Sequence, residues 1–271
     1  MSELELQAAI SRVELDAHRD VLVEIARPAA YLGVEPASAG EPQGSRLGGQ
    51  PWLAAETPWP TDEQGRPMQF VLQIAVDDIP SEWAGRPLRP ASWPGDGLLA
   101  LFVGMSASSF DIPHRVLLTS RSEGALREAP LSMEPTRLEV VFLDEVPSAA
   151  LTVRPGWDLP RWASDEWAHL DEEVFEGEHD AVGYESLEGL LNPLSSADTI
   201  GRLFGHVAGV GADPREDIEG RPEGTAWQHL LTLDSSLRVD LTIADAGYLQ
   251  VLAPEPFGAE LRLTFASVET S

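Results

Sequence analysis

Short apolar runs punctuated by turn residues constrain this chain more than any other feature. Phe70 to Val76, Leu98 to Val103, Val116 to Leu118 and Leu138 to Leu143 each have the length of a strand, and Pro, Gly and Trp residues crowd the stretches between them. The order is hairpin-like, with no long helical pattern between the runs. This favours an antiparallel or mixed sheet over a doubly wound parallel one. A helical pattern opens the chain instead. Ser2 stands three residues before Glu5, the spacing of a capping box, and Leu6, Ile10, Val13, Ala17, Val21 and Ile25 follow at helical steps until Pro28 ends the segment. Its single apolar stripe and acidic opposite face predict a helix lying against the body of the fold.

The chain also resembles itself. Arg46-Leu47-Gly48-Gly49-Gln50-Pro51 is similar to Arg202-Leu203-Phe204-Gly205-His206-Val207. After each comes an apolar run that meets an acid, Phe70 to Val76 before Asp77 and Leu230 to Leu233 before Asp234. Each copy then closes on a glycine and a second run, Gly97 to Phe102 in the first and Gly247 to Leu252 in the second. Two matching stretches so far apart are too distant for a solenoid period, so two related half-units are the economical reading.

The same residues resemble the YwqG-like family of bacterial proteins. The Ser45-Arg46-Leu47-Gly48-Gly49-Gln50-Pro51 loop is similar to the family's Ser-Lys-hydrophobic-Gly-Gly-x-Pro, and Gly65 to Ile74 is similar to its Gly-x-Pro-Leu-x-Phe-Leu-x-Gln-Ile-Asn run. Trp59-Pro60 and the Gly97 to Phe102 stretch belong to the same pattern. In the second half, Arg202 to His206, Trp227 to Asp234 and Asp245-Ala246-Gly247 resemble later family motifs, with Ile200 where a His and Thr232 where a Gln would stand. The resemblance implies an α+β fold of two related β-rich halves. It supplies no catalytic residues.

Composition narrows the function. The 45 acidic residues against 18 basic ones give a net charge of -27 over 271 residues, and every basic residue is Arg. Scattered among acids, these arginines form no stripe for phosphate neutralisation, so nucleic acid and anionic membranes are poor partners and a basic protein is the better electrostatic match. With no Cys, the chain has no disulfides, thiolate zinc sites, cysteine nucleophiles or iron–sulfur clusters. No apolar run is long enough to span a bilayer, and the acidic first residues do not read as a signal peptide, so the expected location is cytoplasmic.

Candidate site residues follow from these patterns. Gly48-Gly49 reads as a tight turn with positive φ, since Pro51 and Pro58 prevent a phosphate-binding helix from starting there. Gln73, polar within an apolar strand, is expected to satisfy loop backbone, that of the Gly48-Gly49 turn in particular, or to hold a ligand. Between Asp158 and Glu188, eleven acids face the single Arg161, with Trp162, Trp167, Phe175 and Tyr184 among them. Trp157, Trp162 and Trp167 together with Glu172 and Glu173 form the candidate contact surface for a basic partner. His169, Glu173 and His179 are a weak metal cluster, outweighed by a solvated acidic face, and no cofactor is expected. A minority reading makes the cleft between the halves a small-molecule or metal-binding hydrolase site, with His206, His229, Asp234 and Asp245 as its chemistry, although no Gly-x-Ser-x-Gly elbow accompanies Ser235 or Ser236.

The sequence therefore predicts one compact α+β domain with mostly antiparallel strands. Its parts are an N-terminal helix over 1–32, a first β-rich half over 33–153, an acidic linker or insertion over 154–197 and a second β-rich half over 198–271. The expected function is a non-enzymatic protein-binding module, of the kind that neutralises bacterial toxins. The structural motif residues are Arg46, Gly48, Gly49, Pro51, Gln73, Gly97, Gly205 and Gly247.

Overall fold

The structure is a computed structural model describing residues 2–36, 38–93, 95–104, 109–121, 124–130, 146–191, 198–216, 218, 225–257, 261 and 263–270. The expected run from Leu138 to Leu143 lies outside the described residues. The Ser2 capping box forms as the spacing predicts, the serine side chain accepting from the Glu5 amide and the Glu5 carboxylate accepting from the Ser2 amide. It starts α1 (Glu3–Arg12). Where the apolar spacing predicts a single helix, the segment divides: Glu14 takes a left-handed φ of 63°, Leu15 turns into the core, and the chain restarts as α2 (Arg19–Ile25).

The next element, β1 (Arg27–Glu35), begins inside the segment expected to be helical. The helix stops at Ile25, before the expected end at Pro28, and Pro28 is already the second residue of the strand. The further strands are β2 (Arg46–Leu47), β3 (Trp52–Leu53), β4 (Gln69–Ala75), β5 (Glu82–Trp83), β6 (Arg86–Pro87), β7 (Gly97–Val103), β8 (His114–Ser120), β9 (Ala125–Leu126) and β10 (Ala149–Asp158). After the helical segments α3 (Asp165–His169) and α4 (Glu178–Leu191) come β11 (Thr199–Phe204), β12 (Trp227–Asp234), β13 (Tyr248–Pro254) and β14 (Phe265–Glu269).

Ten of these strands form one sheet in the order β14-β13-β12-β11-β1-β10-β2-β4-β7-β8, every pairing antiparallel. The centre is the long β1–β10 pair, in register from Arg27 opposite Asp158 to Glu35 opposite Ala150. β10 thus carries the sheet through the expected boundary at residue 153 and into the acidic segment. The two outer edges come together through the chain leading into β8. Ile112 donates its amide to Ala266 at 3.0 Å, Val268 donates to Ser109 at 2.7 Å, and His114 Nε2 lies 2.7 Å from Thr264 Oγ1. The sheet is nearly a barrel, and its interior is one apolar cluster drawn from all around it, including Leu32, Leu151, Ile74, Leu101, Leu231, Val251 and Ala266.

A second core sits outside the sheet. Leu6 and Ile10 of α1, Leu22 of α2 and Tyr184, Leu187 and Leu191 of α4 pack with Trp157 and Leu159. The acidic segment is therefore a helical layer attached to the sheet, its apolar stripe turned inward. No described helix is long and apolar enough to cross a membrane.

Candidate functional site

The outer face of the sheet carries a row of buried polar side chains. Register places Tyr31 opposite Arg202, Arg202 opposite Thr232, Thr232 opposite Gln250 and Gln250 opposite Ser267, and all five are essentially inaccessible. Paired residues share a face of the pleat, so this row crosses five strands on one side. Asp158, at the end of β10, organises one end of it. Its carboxylate accepts from Arg161 Nη2 at 2.7 Å, from the His206 amide at 2.7 Å and from the Tyr31 hydroxyl at 3.2 Å, and lies 3.4 Å from Arg202 Nε. Burial alone would raise its pKa. The Arg161 and Arg202 guanidiniums reverse that and hold the carboxyl well below the ordinary range.

Gly205 makes room for this carboxylate. Its φ is +84°, and a Cβ there would lie 2.4 Å from Asp158 Oδ2. Phe204 before it is also left-handed, with φ 62°. The same double left-handed turn follows β2, with Gly48 at +52° and Gly49 at +71°, as expected for a tight glycine turn.

Gln73 behaves as a structural residue, with one change of partner. Its amide nitrogen donates to the carbonyls of Pro42 and Gly44 at 3.1 and 3.0 Å, and its amide oxygen accepts from the Trp52 amide at 2.9 Å. It grips the chain on either side of the Gly48-Gly49 turn, while Gly48 itself donates to Val71. Gln250 does a comparable job in the other half, accepting from the Ala208 amide at 3.0 Å and donating to the Ala208 carbonyl at 2.8 Å. Gln250 shows the signal that singles out Gln73, a lone amide in an apolar strand. Asp158 gives no such signal, being one acid among many in its segment.

The hydrolase residues do not assemble. His229 is completely enclosed, its Nδ1 donating to the Phe204 carbonyl and its Nε2 accepting from Thr232 Oγ1 at 2.6 Å. His206 Nε2 donates to the Ile25 carbonyl at 2.9 Å. Burial lowers both imidazoles, His206 to about 4 and His229 well below its usual value, so both are neutral at physiological pH. Asp234 is raised by burial, and its Oδ2 has no hydrogen-bond partner. Asp245 sits exposed in the turn before Gly247. Among the described residues, no hydrogen bond or ion pair joins either histidine to either aspartate.

The metal candidates also separate. His169 Nδ1 is 3.2 Å from Glu173 Oε2, but His179 faces Glu14 at 3.9 Å. Among the described residues no group of three or more His, Cys, Asp or Glu could hold a metal ion.

The candidate contact residues fall into two sets. Trp157 is 1% exposed, meets Trp83 edge-to-face with ring centroids 4.9 Å apart and has the Arg86 guanidinium over its ring at 4.9 Å, which makes it part of the second core. Trp162 is 68% exposed. Its ring leans on Trp167 at 6.0 Å, and Trp167 in turn packs on Tyr184 at 4.9 Å and on Phe175 at 6.2 Å. The Ser164 side chain caps α3 by accepting from the Trp167 amide, which fixes this aromatic ledge. Asp171, Glu172 and Glu173 are exposed just beyond α3, in a π turn over Leu170–Val174. The acids on the other side, Glu166 and Asp213, are both paired with Arg215.

With this geometry in place, comparison with known families gives one result. Residues 45–255 match a domain of unknown function, DUF1963, the domain found in YwqG-like bacterial proteins. No curated protein matches the chain.

Proposed function

We propose that this chain, which belongs to the DUF1963 family, is a non-enzymatic binding module that docks a basic protein on the ledge formed by Trp162, Trp167, Glu172 and Glu173. The observation that carries the reading is Trp162, a large apolar side chain 68% exposed and held in place by a packed aromatic base. An aromatic ring presented to solvent from a rigid support is how interfaces obtain much of their affinity, and a guanidinium or ammonium is attracted to its face. Exposed carboxylates beside it and a net charge of -27 favour a cationic partner and accelerate its approach. Toxin neutralisation is one role that such a surface fits.

Two further features support the reading. The histidines and aspartates of the hydrolase alternative are occupied or scattered, which leaves that alternative without an assembled acid–base pair. The reading also takes the two flanks of the sheet as two related halves, which the strand order supports. The order β10-β2-β4-β7-β8 mirrors β1-β11-β12-β13-β14, and Arg46 stands opposite Gln73 as Arg202 stands opposite Thr232. In this reading the halves are a scaffold and the helical layer between β10 and β11 carries the specificity.

The test compares variants. Trp162→Ala should abolish capture of the partner without loss of fold, whereas His206→Gln and His229→Gln, once shown to be folded, should bind as the parent does. The opposite pattern would overturn the proposal.

A further inference from the structure

Arg46 and Arg202 occupy matching places in the sheet, each in the strand just before a double left-handed turn, yet their surroundings differ in one respect. Arg202 has a carboxylate, Asp158, at 3.4 Å from Nε, and donates from Nη2 to the His206 carbonyl at 2.7 Å. Arg46 has neither. It is only 6% exposed, and, although the Nε of both arginines lacks a hydrogen bond, among the described residues no hydrogen bond or ion pair at all reaches the Arg46 guanidinium. Burial lowers its pKa with no neighbouring carboxylate to oppose the effect. The neighbours across the sheet cannot serve it. Ala150 on one side has no polar side chain, and on the other the Gln73 amide oxygen accepts from the Trp52 amide at 2.9 Å and makes no hydrogen bond with Arg46. A buried, uncompensated cation is among the least favourable things a fold can contain. In a chain with 45 acids, its isolation is conspicuous.

The opening above Arg46 is shaped by Gly49. With φ +71° and no side chain, this residue is exposed, and a Cβ placed on it would lie 3.0 Å from Ser148 Oγ and 3.9 Å from Arg46 Nη2. The missing side chain leaves that guanidinium nitrogen and the Ser148 hydroxyl facing one small gap. No hydrogen bond engages the Ser148 hydroxyl among the described residues, and the amides of Gly49 and Gln50 find no acceptor there either. A cation and a hydroxyl side by side next to a double left-handed turn are components of an oxyanion site.

The geometry points to a binding site for the carboxylate group of a small molecule, held by Arg46 and Ser148 beside Gly49. A singly charged planar carboxylate suits a guanidinium, and it meets less repulsion than a phosphate dianion from a protein of charge -27. The site lies in the first flank of the sheet and does not depend on the Trp162 ledge.

The test uses the full chain labelled with 15N-arginine. The Nε–H signal of Arg46 is identified by its disappearance in Arg46→Lys, and the parent is titrated with sodium acetate, inorganic phosphate and sodium chloride at constant ionic strength. Acetate should shift the Arg46 signal saturably and leave that of Arg202 in place. Ser148→Ala, a change at an exposed position just before β10, should weaken the acetate response by about tenfold. No saturable response of Arg46 to acetate, or an equal response to all three anions, which would mean an adventitious ion only, would overturn the assignment. So would a response to phosphate alone.

Discussion

Replacing Asp158 by Asn removes the charge that balances two buried guanidiniums and leaves the shape of the side chain almost unchanged. Arg202 and Arg161 have side chains only 2% and 14% exposed, so water cannot take over the lost interaction. Breaking a buried ion pair by removing one partner costs about 3 to 5 kcal/mol. Asparagine can still accept from the His206 amide or the Tyr31 hydroxyl, which places Asp158→Asn near the lower end, about 3 kcal/mol, and Asp158→Ala near the upper. For a chain of this size, about 3 kcal/mol lowers Tm by roughly 6 °C or more. Equilibrium urea denaturation followed by tryptophan fluorescence measures the change directly. In the Asp158→Asn, Arg202→Met double variant the cost should be less than the sum of the two single costs, because the methionine no longer needs a counter-charge. A cost below about 1 kcal/mol for Asp158→Asn, or strict additivity in the double variant, would refute the claim that this carboxylate organises the outer face.

Other outcomes follow from the same structure. His206 has a folded pKa of about 4 against about 6.5 unfolded, so below pH 6.5 the unfolded state binds the proton first. Stability is therefore complete above about pH 6.5 and falls as the pH drops toward about 4, by roughly 3 kcal/mol from this residue, and His206→Gln should flatten that slope in urea titrations across the range. Gln73→Leu leaves the Trp52 amide and two loop carbonyls without their partner and should cost about 2 to 3 kcal/mol by chemical denaturation. Gly205→Ala forces a side chain onto a left-handed residue and against Asp158, so its loss should reach about 2 kcal/mol or more by the same assay. Trp162→Ala, at an exposed position, should change stability by no more than about 0.5 kcal/mol.

Much of the sheet was readable because its strands at the flanks are mostly apolar runs bounded by turn residues. β4, β7, β12 and β13 fall where Phe70, Leu98, Leu230 and Tyr248 begin their runs. The central pair was not readable. β1 follows a helical pattern immediately and contains Pro28 and Gly33, while β10 contains Pro155 and Gly156 and runs into acids, so both resemble boundaries. Their pairing with each other, which sets Tyr31 opposite Arg154 and lets its hydroxyl donate to the Trp157 carbonyl 126 residues away, is a tertiary fact that no local pattern encodes. The Gly48-Gly49 turn was legible because a positive φ explains paired small residues before a proline-rich stretch. Charge abundance concealed Asp158. Sequence placed Trp157 beside Trp162 and Trp167 as one surface, but strand pairing turns Trp157 inward, and only an exposed ring can meet a partner.

The central claim rests on the Trp162 ledge, and the most direct measurement is the affinity of the intact chain for an arginine-rich peptide, read by tryptophan fluorescence at about 20 and about 200 mM salt. Saturable binding at low salt that weakens by about tenfold or more at high salt, and by a similar factor in Trp162→Ala, is the predicted result. Equal affinity of the parent and Trp162→Ala, or no binding to the peptide at low salt, would contradict it.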